Sequence, residues 1–562
     1  MAFDNTTAFG RLAGSSRLWY VLVGLLIGTT GLAQTTGKYL IRLRDKAGSP
    51  YAVSRPREFL SARAVLRRQK QNIAVTERDL PVNPAYVAAI RQTGATVWYT
   101  SRWLNAVLIQ ANDATLAAVQ QLPFVSGLEG GRSLAAVPRQ PLRPAQTHPA
   151  ESVAGAGRVG ATGPLNYGAS ANQITQIGAD QMHAQGYHGE GLLIGVLDAG
   201  FRNANAVAFL RPLFTENRVL ATYDFVANET GVYEDDEHGT EVLSCMAATA
   251  EGQLYGTAYG ASFVLLRTED ADTEKPIEEA NWLFGAEYAD SAGVDVINSS
   301  LGYYDFDPPF TALNHTYADL NGSTTLISRA AQWATETGMV VVNSAGNEGD
   351  SAWQRIIVPA DAPSVLAIGG VDQNGIYWPV SSPGPSADGR VKPDLAARSV
   401  GTVIGTPAGA IRQGSGTSFA SPLVAGLAAG FWQAHPALTA AQVTTALRQS
   451  GSQYTRPDNQ LGYGIPDFGR ASAVVASFGR ARAYPNPFSD AEPLTVQWAD
   501  AGANGPLDAQ LTDLAGRVLW RGGIAAGGSA TFTLPNVTLA AGLYVVTLTA
   551  GDQKQSIRVI KR

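Results

Sequence analysis

Four polar residues in the middle of the chain have side chains that acyl-transfer chemistry uses, and each stands where an apolar run ends or begins. Asp198 ends the strand-like run LLIGVLD, His238 precedes Gly-Thr and an apolar stretch, Asn347 follows MVVVNSAG, and Ser418 opens SFASPLVAG. Together they supply a nucleophile, a base, a group that orients the base and an oxyanion donor. Each alone also has an ordinary structural explanation, because Asp and Ser cap helices and Asn favours turns.

The elements that must position these residues form one large block, 166–478. Strand-like runs without polar alternation alternate with helical stretches, which predicts an α/β fold with a mostly parallel sheet flanked by helices. In such a sheet the functional groups lie at the carboxyl ends of the strands. The predicted strands are GLLIGVLDAG, ASFVLLRTED, VDVINSSLG, MVVVNSAGN and SVLAIGGVD, and helices are predicted near 240–250 and 327–337.

The order of the four residues narrows the chemistry. In an α/β-hydrolase the catalytic residues follow the chain order Ser, Asp, His, and here no suitable histidine follows Ser418. Of the six histidines, only His238 has buried-looking surroundings on one side and glycine on the other. Ser418 begins a helix that is apolar nearly all round, with Pro422 expected in its first turn, so a helix cap remains an alternative for this serine.

Four segments carry a family resemblance: GVLDAG, HGTEV, SAGNEG and GTSFASPLVAG resemble, in order, the signature segments of the subtilisin-like serine proteases, or subtilases. INSSLG and SSPGPSADGRVKPDLAA resemble two further segments of that family. The resemblance implies that Ser418 is the nucleophile, His238 the general base and Asp198 its orienter. It implies that Asn347 and the Ser418 amide bind the oxyanion, and that the strand Ser300, Leu301 and Gly302 pairs with the substrate backbone.

Two positions depart from the family pattern. Ala199 stands where the family usually has Ser or Thr, and Glu241 stands where it usually has a second His. Neither belongs to the triad, so we expect activity to survive. The departures leave two alternatives open: a catalytically inactive surface binding protein with the subtilase fold, and a transferase or peptide ligase that uses the same acyl-enzyme.

The N-terminal third predicts export and a prodomain. A basic start, the short apolar run LWYVLVGLLI and a small-residue end are typical of a signal peptide at 1–33, with an uncleaved anchor as the alternative. Residues 38–134 alternate strand and helix patterns and are similar to the propeptide of subtilases, which blocks the cleft as an intramolecular inhibitor. The Pro- and Ala-rich segment 135–165 is predicted to be a linker with the maturation site, where the candidates are Arg139, Arg143 and Arg158.

The last part of the chain, 482–562, has period-2 strands separated by Gly, Asp and Pro turns, which predicts a β-sandwich. YPNPF, DLAGRVL, GLYVVTL and the basic Lys561-Arg562 end resemble a bacterial type IX secretion sorting domain. The resemblance implies that the secretion machinery is a partner and that the product reaches the cell surface or the medium. An ordinary binding module is the alternative.

Composition excludes several function classes. The net charge is −6, and the sequence has no basic stripe that would indicate nucleic-acid binding. The single cysteine, Cys245, excludes an intramolecular disulfide. The proposed acyl-transfer chemistry requires no cofactor, and the partners expected are protein or peptide substrates.

The acidic run 234–237 is interpreted as a solvated loop. The alternatives are a calcium site and an electrostatic field that raises the pKa of His238. Structural calcium is not assignable, since the ligand spacing of a calcium loop is absent.

Overall fold

The computed structural model describes residues 36–137, 165–476, 481–499, 507–524, 529–534, 538–550 and 553–562. The predicted signal peptide and the three arginines of the linker lie outside these residues. No helix within the described ranges is both long and apolar enough to cross a membrane. Three domains follow one another, here called the N-terminal (36–137), central (165–476) and C-terminal (481–562) domains.

The N-terminal domain is an antiparallel sheet with three helices, as the strand and helix patterns predict. Its elements are β1 (Thr36–Leu43), α1 (Ala62–Lys70), α2 (Pro84–Gln92), β2 (Thr96–Ser101), β3 (Ala106–Ala111), α3 (Asp113–Gln120), β4 (Val125–Leu128) and β5 (Ala135–Val137). The sheet order is β2-β3-β1-β4, and β5 also pairs with β1. The linker therefore starts later than predicted, because 135–137 add a strand to this sheet.

The central domain contains a sheet of seven strands, and all neighbouring pairs are parallel. The strands of the whole central domain are β6 (Leu193–Asp198), β7 (Val219–Asp224), β8 (Thr249–Ala250), β9 (Leu254–Tyr255), β10 (Ser262–Arg267), β11 (Val296–Ser299), β12 (Val340–Ser344), β13 (Leu366–Val371), β14 (Leu395–Arg398), β15 (Thr402–Gly405) and β16 (Ile411–Gly414). The large sheet has the order β14-β13-β12-β11-β6-β10-β7. This confirms the predicted fold class.

The helices of the central domain cover both faces of this sheet. They are α4 (Ala171–Thr175), α5 (Ala179–Ala184), α6 (Arg211–Thr215), α7 (His238–Ala247), α8 (Ile277–Ala292), α9 (Leu326–Glu336), α10 (Thr417–Ala434), α11 (Ala440–Gln449) and α12 (Phe468–Val475). Because side chains alternate along a strand, Ile194 and Val196 of β6 join a core with α7 and α10. Leu193 and Leu197 join a second core with α8 and α9 on the opposite face.

Two helix predictions need correction. The helix predicted near 240–250 begins at His238 and ends at Ala247, and Thr249–Ala250 instead pair with Leu254–Tyr255 as a short hairpin. Pro422 does not lie in the first turn of α10, since the helix begins at Thr417 and Pro422 is its sixth residue. Pro422 has no N–H, so the carbonyl of Ser418, four residues earlier, lacks its helical hydrogen bond.

The C-terminal domain is the predicted sandwich of two antiparallel sheets. Its strands are β17 (Ala481–Tyr484), β18 (Thr495–Ala499), β19 (Leu507–Asp513), β20 (Val518–Ile524), β21 (Ser529–Thr533), β22 (Gly542–Ala550) and β23 (Gln553–Lys561). One sheet has the order β17-β18-β21 and the other β20-β19-β22-β23. Trp498, Leu511 and Val546 are among the fully buried residues of their common core.

Candidate active site

The sheet order brings three of the predicted site residues to one edge. Asp198 is the last residue of β6, Ser300 directly follows β11, and Asn347 lies three residues after β12. β12, β11 and β6 are consecutive parallel neighbours in the sheet. Their carboxyl ends therefore lie side by side, as expected for an open α/β sheet.

Asp198 and His238 form a buried pair at this edge. Asp198 is fully buried, and its Oδ1 lies 2.7 Å from His238 Nδ1 and accepts a 2.9 Å hydrogen bond from the Ala199 amide. The contact needs Gly239, because a Cβ there would lie 2.3 Å from the carbonyl oxygen of Gly200. Since Asp198 holds the proton on Nδ1, Nε2 of His238 is left as the proton acceptor.

The pKa of His238 is raised by its acidic surroundings. Burial alone would lower this pKa, but the charge and hydrogen bond of Asp198, with the charges of Glu269 and Asp236, outweigh it and raise the pKa to about 9. The imidazole side chain is 30% exposed, so it can still exchange protons with a bound molecule. A base with this pKa is neutral, and able to accept a proton, mainly at alkaline pH.

Ser418 is not a helix cap. The N-cap of α10 is Gly416, Ser418 is the second helical residue, and no side chain caps the helix. The Ser418 hydroxyl donates to the Ser300 carbonyl at 3.4 Å. Its amide belongs to the first turn, where N–H groups have no partner within the helix and the helix dipole favours negative charge. The position thus leaves the amide without a helical partner, and the hydroxyl is held only by the long bond to Ser300.

A buried network fixes the backbone of Ser418. Pro422 has no N–H to donate to the Ser418 carbonyl, and Ser300 Oγ donates to that oxygen instead at 2.9 Å. Asn298 Nδ2 donates to Ser300 Oγ at 3.2 Å, and Ser421 Oγ donates to Asn298 Oδ1 at 2.8 Å. The network ties the start of α10 to the end of β11.

The side chain of Asn347 is held by Thr417. Its Oδ1 accepts hydrogen bonds from the Thr417 amide at 2.9 Å and the Thr417 hydroxyl at 3.0 Å. The backbone N–H can only donate, so the atom facing Thr417 must be the oxygen. Nδ2 therefore points away from Thr417 and is available as a donor.

These residues line one cavity of about 330 Å³. The wall includes His238, Ser418, Asn347 and the segment 300–302, as well as Asp236 of the acidic run and Glu269, which the sequence did not single out. The N–H and C=O of Gly302 make no hydrogen bond to any described residue, so an edge of backbone is free beside Ser418. Glu269 follows β10, the neighbour of β6, and its place after a strand was the only signal that could have found it.

The two departures from the family pattern are both accommodated. Ala199 supplies its amide to Asp198, whose Oδ2 is buried without a hydrogen-bond partner in the described ranges. Glu241 is buried and pairs with Arg412 at 2.6 Å. Burial raises the pKa of Glu241, although Arg412 opposes this.

The acidic run before His238 is only partly solvated. Glu234 and Glu237 are exposed, but Asp235 pairs with Arg267 at 3.1 Å and Asp236 Oδ1 accepts from the His238 amide at 2.8 Å. The interpretation as a solvated loop is therefore wrong for two of the four residues, and the field on His238 is present. Within the described ranges no group of three or more His, Cys, Asp or Glu side chains could hold a metal ion.

Sequence comparisons match all three domains. The subtilase family matches residues 189–464, a Bacteroidota propeptide domain of peptidase S8 matches 38–147, and a secretion system C-terminal sorting domain matches 482–562. The last two matches confirm the predicted propeptide and sorting domain. The sorting domain indicates type IX secretion to the cell surface or the extracellular space.

Individual relatives match about half of the chain. Subtilisin E of Bacillus subtilis (strain 168) is 31% identical over 283 residues, which are 50% of this chain and 65% of that protein. The chain thus spans slightly less than two thirds of the length of Subtilisin E. Among solved structures, MycP1 from the ESX-1 type VII secretion system has a TM-score of 0.43 and 22% identity, over 54% of this chain and 86% of that one.

The match to a second relative extends over nearly the whole length of that relative. Subtilisin DY of Bacillus licheniformis is 31% identical over 282 residues, which are 50% of this chain and 90% of that protein. The four segments that carry Asp198, His238, Asn347 and Ser418 all lie within the region of the subtilase match. The chain belongs to the subtilase family.

Proposed function

We propose that the chain is an exported serine endopeptidase that hydrolyses peptide bonds through a covalent acyl-enzyme. The observation that carries the proposal is the 2.7 Å contact between buried Asp198 and His238, in the same cavity as Ser418 at the start of α10. A nucleophile and a base that line one cavity, with a buried carboxylate that orients the base, are the parts of a serine peptidase.

In the proposed reaction the Ser418 hydroxyl turns about χ1 from the Ser300 carbonyl toward His238. Its oxygen attacks the peptide carbonyl while His238 Nε2 takes the proton. The proton then passes to the leaving amine as the C–N bond breaks. Water, deprotonated by His238, attacks the acyl-enzyme, and His238 returns that proton to Ser418 Oγ as the acyl–Oγ bond breaks and the acid is released. Every group in this sequence belongs to the chain, the substrate or water, so the chemistry requires no cofactor.

The oxyanion of each tetrahedral intermediate would be bound by two donors. Asn347 Nδ2 is directed away from Thr417, and the Ser418 amide is free at the N-terminus of α10. The substrate backbone would add a strand along 300–302, where Gly302 has free hydrogen-bonding groups. The geometry supports these roles because Asn347 and Ser418 both line the cavity.

The flanking domains would regulate and deliver this activity. The N-terminal domain matches a propeptide, so we propose that it inhibits the central domain until the linker is cleaved. The C-terminal domain would be recognised by the secretion machinery. Protein or peptide substrates, including the chain's own linker, would bind in the cleft.

The test is Asn347→Ala in the mature protein. Turnover of a peptide substrate should fall by on the order of 10²–10³, the loss known for one oxyanion donor in a subtilisin, while KM changes little. Asn374→Ala, in an exposed turn remote from the cavity, is the matched control and should keep its turnover. Unchanged turnover in Asn347→Ala would remove Asn347 from the mechanism.

A further inference from the structure

The wall of the cavity beside His238 is acidic. Apart from His238, the charged residues that line it are Asp236 and Glu269, and no described Lys or Arg lines it. Asp236 already accepts the amide hydrogen bond of His238 through Oδ1. Glu269 is the other carboxylate of this wall, and it follows β10 rather than the segment before His238.

Glu269 lies on the far side of the triad from the oxyanion donors. β10, which it follows, neighbours β6, whereas β12, which precedes Asn347, lies beyond β11. The carboxylate is half-buried, and its one hydrogen bond among the described residues comes from the Tyr303 hydroxyl at 3.3 Å. Burial and the charge of Asp198 raise the pKa of Glu269 to about 7, although the charge of His238 and the hydrogen bond from Tyr303 oppose this. The anion therefore has few partners for a charge that is partly removed from water.

The cations nearest in sequence are held by other groups. Arg267 donates to Asp224 at 2.8 Å and to the Ala199 carbonyl at 2.9 Å, and it also pairs with Asp235. Lys275 donates to the Thr273 hydroxyl at 2.6 Å and lies 3.8 Å from Asp270. Neither is recorded in an ion pair with Glu269. A cationic group of a molecule that enters the cavity would therefore not compete with these two side chains for Glu269.

We infer that Glu269 is a specificity-determining residue, and that it selects substrates with a Lys or Arg side chain in the subsite beside His238. The inference rests on the proposed peptidase function. The substrate cation would pair with a carboxylate that is partly removed from water, where a charge pair is stronger than at an exposed surface. A neutral side chain would leave Glu269 unpaired, so discrimination arises from both binding and rejection.

The chain's own linker fits this preference. Between Val137, the last residue of β5, and the central domain, the segment 138–164 contains Arg139, Arg143 and Arg158, no lysine, and only one acidic residue, Glu151. The first substrate that the cleft must process therefore carries cationic side chains. Glu269 would direct cleavage to a bond near one of these arginines.

The experiment uses the mature protein and matched fluorogenic peptides. Each pair differs only in charge, Lys against norleucine or Arg against citrulline, at the first or the second position before the scissile bond. We expect kcat/KM for the cationic peptide to be at least about tenfold higher at one of these positions. In Glu269→Gln this ratio should fall to about threefold or less. Glu274→Gln, which removes a carboxylate from the same loop but not from the cavity wall, should keep the wild-type ratio.

The pH dependence of the same ratio gives a second readout. The groups that act on Glu269 are Asp198, Asp236, His238 and Tyr303. Because both peptides are measured at one pH, the protonation of His238 cancels in the ratio. The preference for the cation should decline as the pH falls through about 7, since Glu269 becomes neutral there. Glu269→Gln should show no such decline.

Mass mapping of the new N-terminus of the matured wild-type protein provides an independent check. Cleavage should fall within two residues after Arg139, Arg143 or Arg158. A wild-type ratio near one, with both peptides turned over, would overturn the inference and leave the proposed function intact. If no peptide is cleaved and Ser418 does not react with a fluorophosphonate, the proposed function fails and the inference fails with it. A Glu269→Gln protein that still reacts at Ser418 but keeps the wild-type ratio would also overturn it.

Discussion

The N-terminal and C-terminal domains flank the same central domain, but the structure attaches them in different ways. Leu40, Trp103 and Leu108 of the N-terminal domain belong to the same hydrophobic core as Leu197 and Phe284 of the central domain. Among the described residues, the C-terminal core consists of residues from the C-terminal domain alone. The N-terminal domain is therefore part of the folded unit around the sheet, whereas the C-terminal domain builds a unit of its own.

Charged groups show the same difference. Asp290 of α8 is fully buried and pairs with three arginines of the N-terminal domain: Arg67, Arg68 at 2.8 Å and Arg102 at 2.5 Å. The ion pairs recorded for the C-terminal domain, Arg517 with Asp513 and Lys561 with Asp490, are internal to it. The difference fits their expected roles, because an inhibitor must stay bound to the cleft domain while a sorting signal must be accessible to the export machinery.

The largest effect should come from Asp290→Ala, measured in a Ser418→Ala background to prevent self-cleavage. The change leaves Arg67, Arg68 and Arg102 without their common carboxylate, and two of these arginines are buried. We expect the free energy of unfolding of the N-terminal and central unit to fall by about 3–5 kcal/mol in denaturant titrations. Asp508→Ala, at an exposed position of β19, should change it by less than about 0.5 kcal/mol. Equal effects of the two changes would contradict the comparison.

Acid should weaken the N-terminal interface before it affects the C-terminal sandwich. Burial alone would raise the pKa of Asp290, but Arg102, Arg67 and Arg68 outweigh it and lower the pKa below its ordinary value. The unfolded chain therefore takes up this proton at a higher pH than the folded one. The stabilisation is present above about pH 4 and is lost as the pH falls further. Hydrogen exchange between pH 5 and 3 should show early loss of protection in β2 and α1, and Asp290→Asn should remove the part due to this group.

A smaller effect is expected from Glu287→Gln on the same helix. Glu287 accepts hydrogen bonds from the Ser101 hydroxyl at 2.5 Å and from the amides of Arg102 at 2.9 Å and Trp103 at 3.1 Å. Glutamine keeps one acceptor oxygen and places an NH2 group where the other was. The free energy of unfolding should fall by about 1–3 kcal/mol, again with Asp508→Ala as control. No change would mean that these bonds do not hold the interface.

The smallest effect is expected from removing the C-terminal domain. A chain that ends at Ala476 should keep the melting temperature of the N-terminal and central unit within about 1 °C, because the described part of the C-terminal domain shares no hydrophobic core with them. Differential scanning calorimetry of the Ser418→Ala protein with and without 481–562 measures this. A decrease of more than about 4 °C would show that the C-terminal domain stabilises the rest of the chain.

Much of the fold was predictable because its strands carry their signal locally. β6, β10, β11, β12 and β13 are apolar runs without polar alternation, and the structure places each in the parallel sheet. Helix α8 was not predicted, because it is buried on nearly all sides and carries buried Glu278, Glu279, Glu287 and Asp290. Such a sequence lacks a polar face, and its charges make sense only with partners such as Arg67, which is distant along the chain.

The candidate site likewise contains residues with a local sequence signal and features that depend on the fold. Asp198, His238, Asn347 and Ser418 were found because each stands at a strand end or a helix start in a recognisable segment. Glu269 and the support of Ser418 by Ser300 were not, because both depend on which strands become neighbours. The position of Pro422 was also misjudged, since sequence alone does not fix where a helix begins to within a turn, and the missing hydrogen bond is visible only against Ser300.

The reaction of Ser418 with a fluorophosphonate would separate a serine peptidase from a binding protein. The protein is matured, freed of 36–137, checked for folding by circular dichroism, labelled and mapped by peptide mass spectrometry. We expect one adduct, on Ser418, that is lost in His238→Ala and gains intensity as the pH rises toward the pKa of His238, about 9. A folded protein that forms no adduct on Ser418 would contradict this expectation, and the cleft would then be a binding surface without an activated nucleophile.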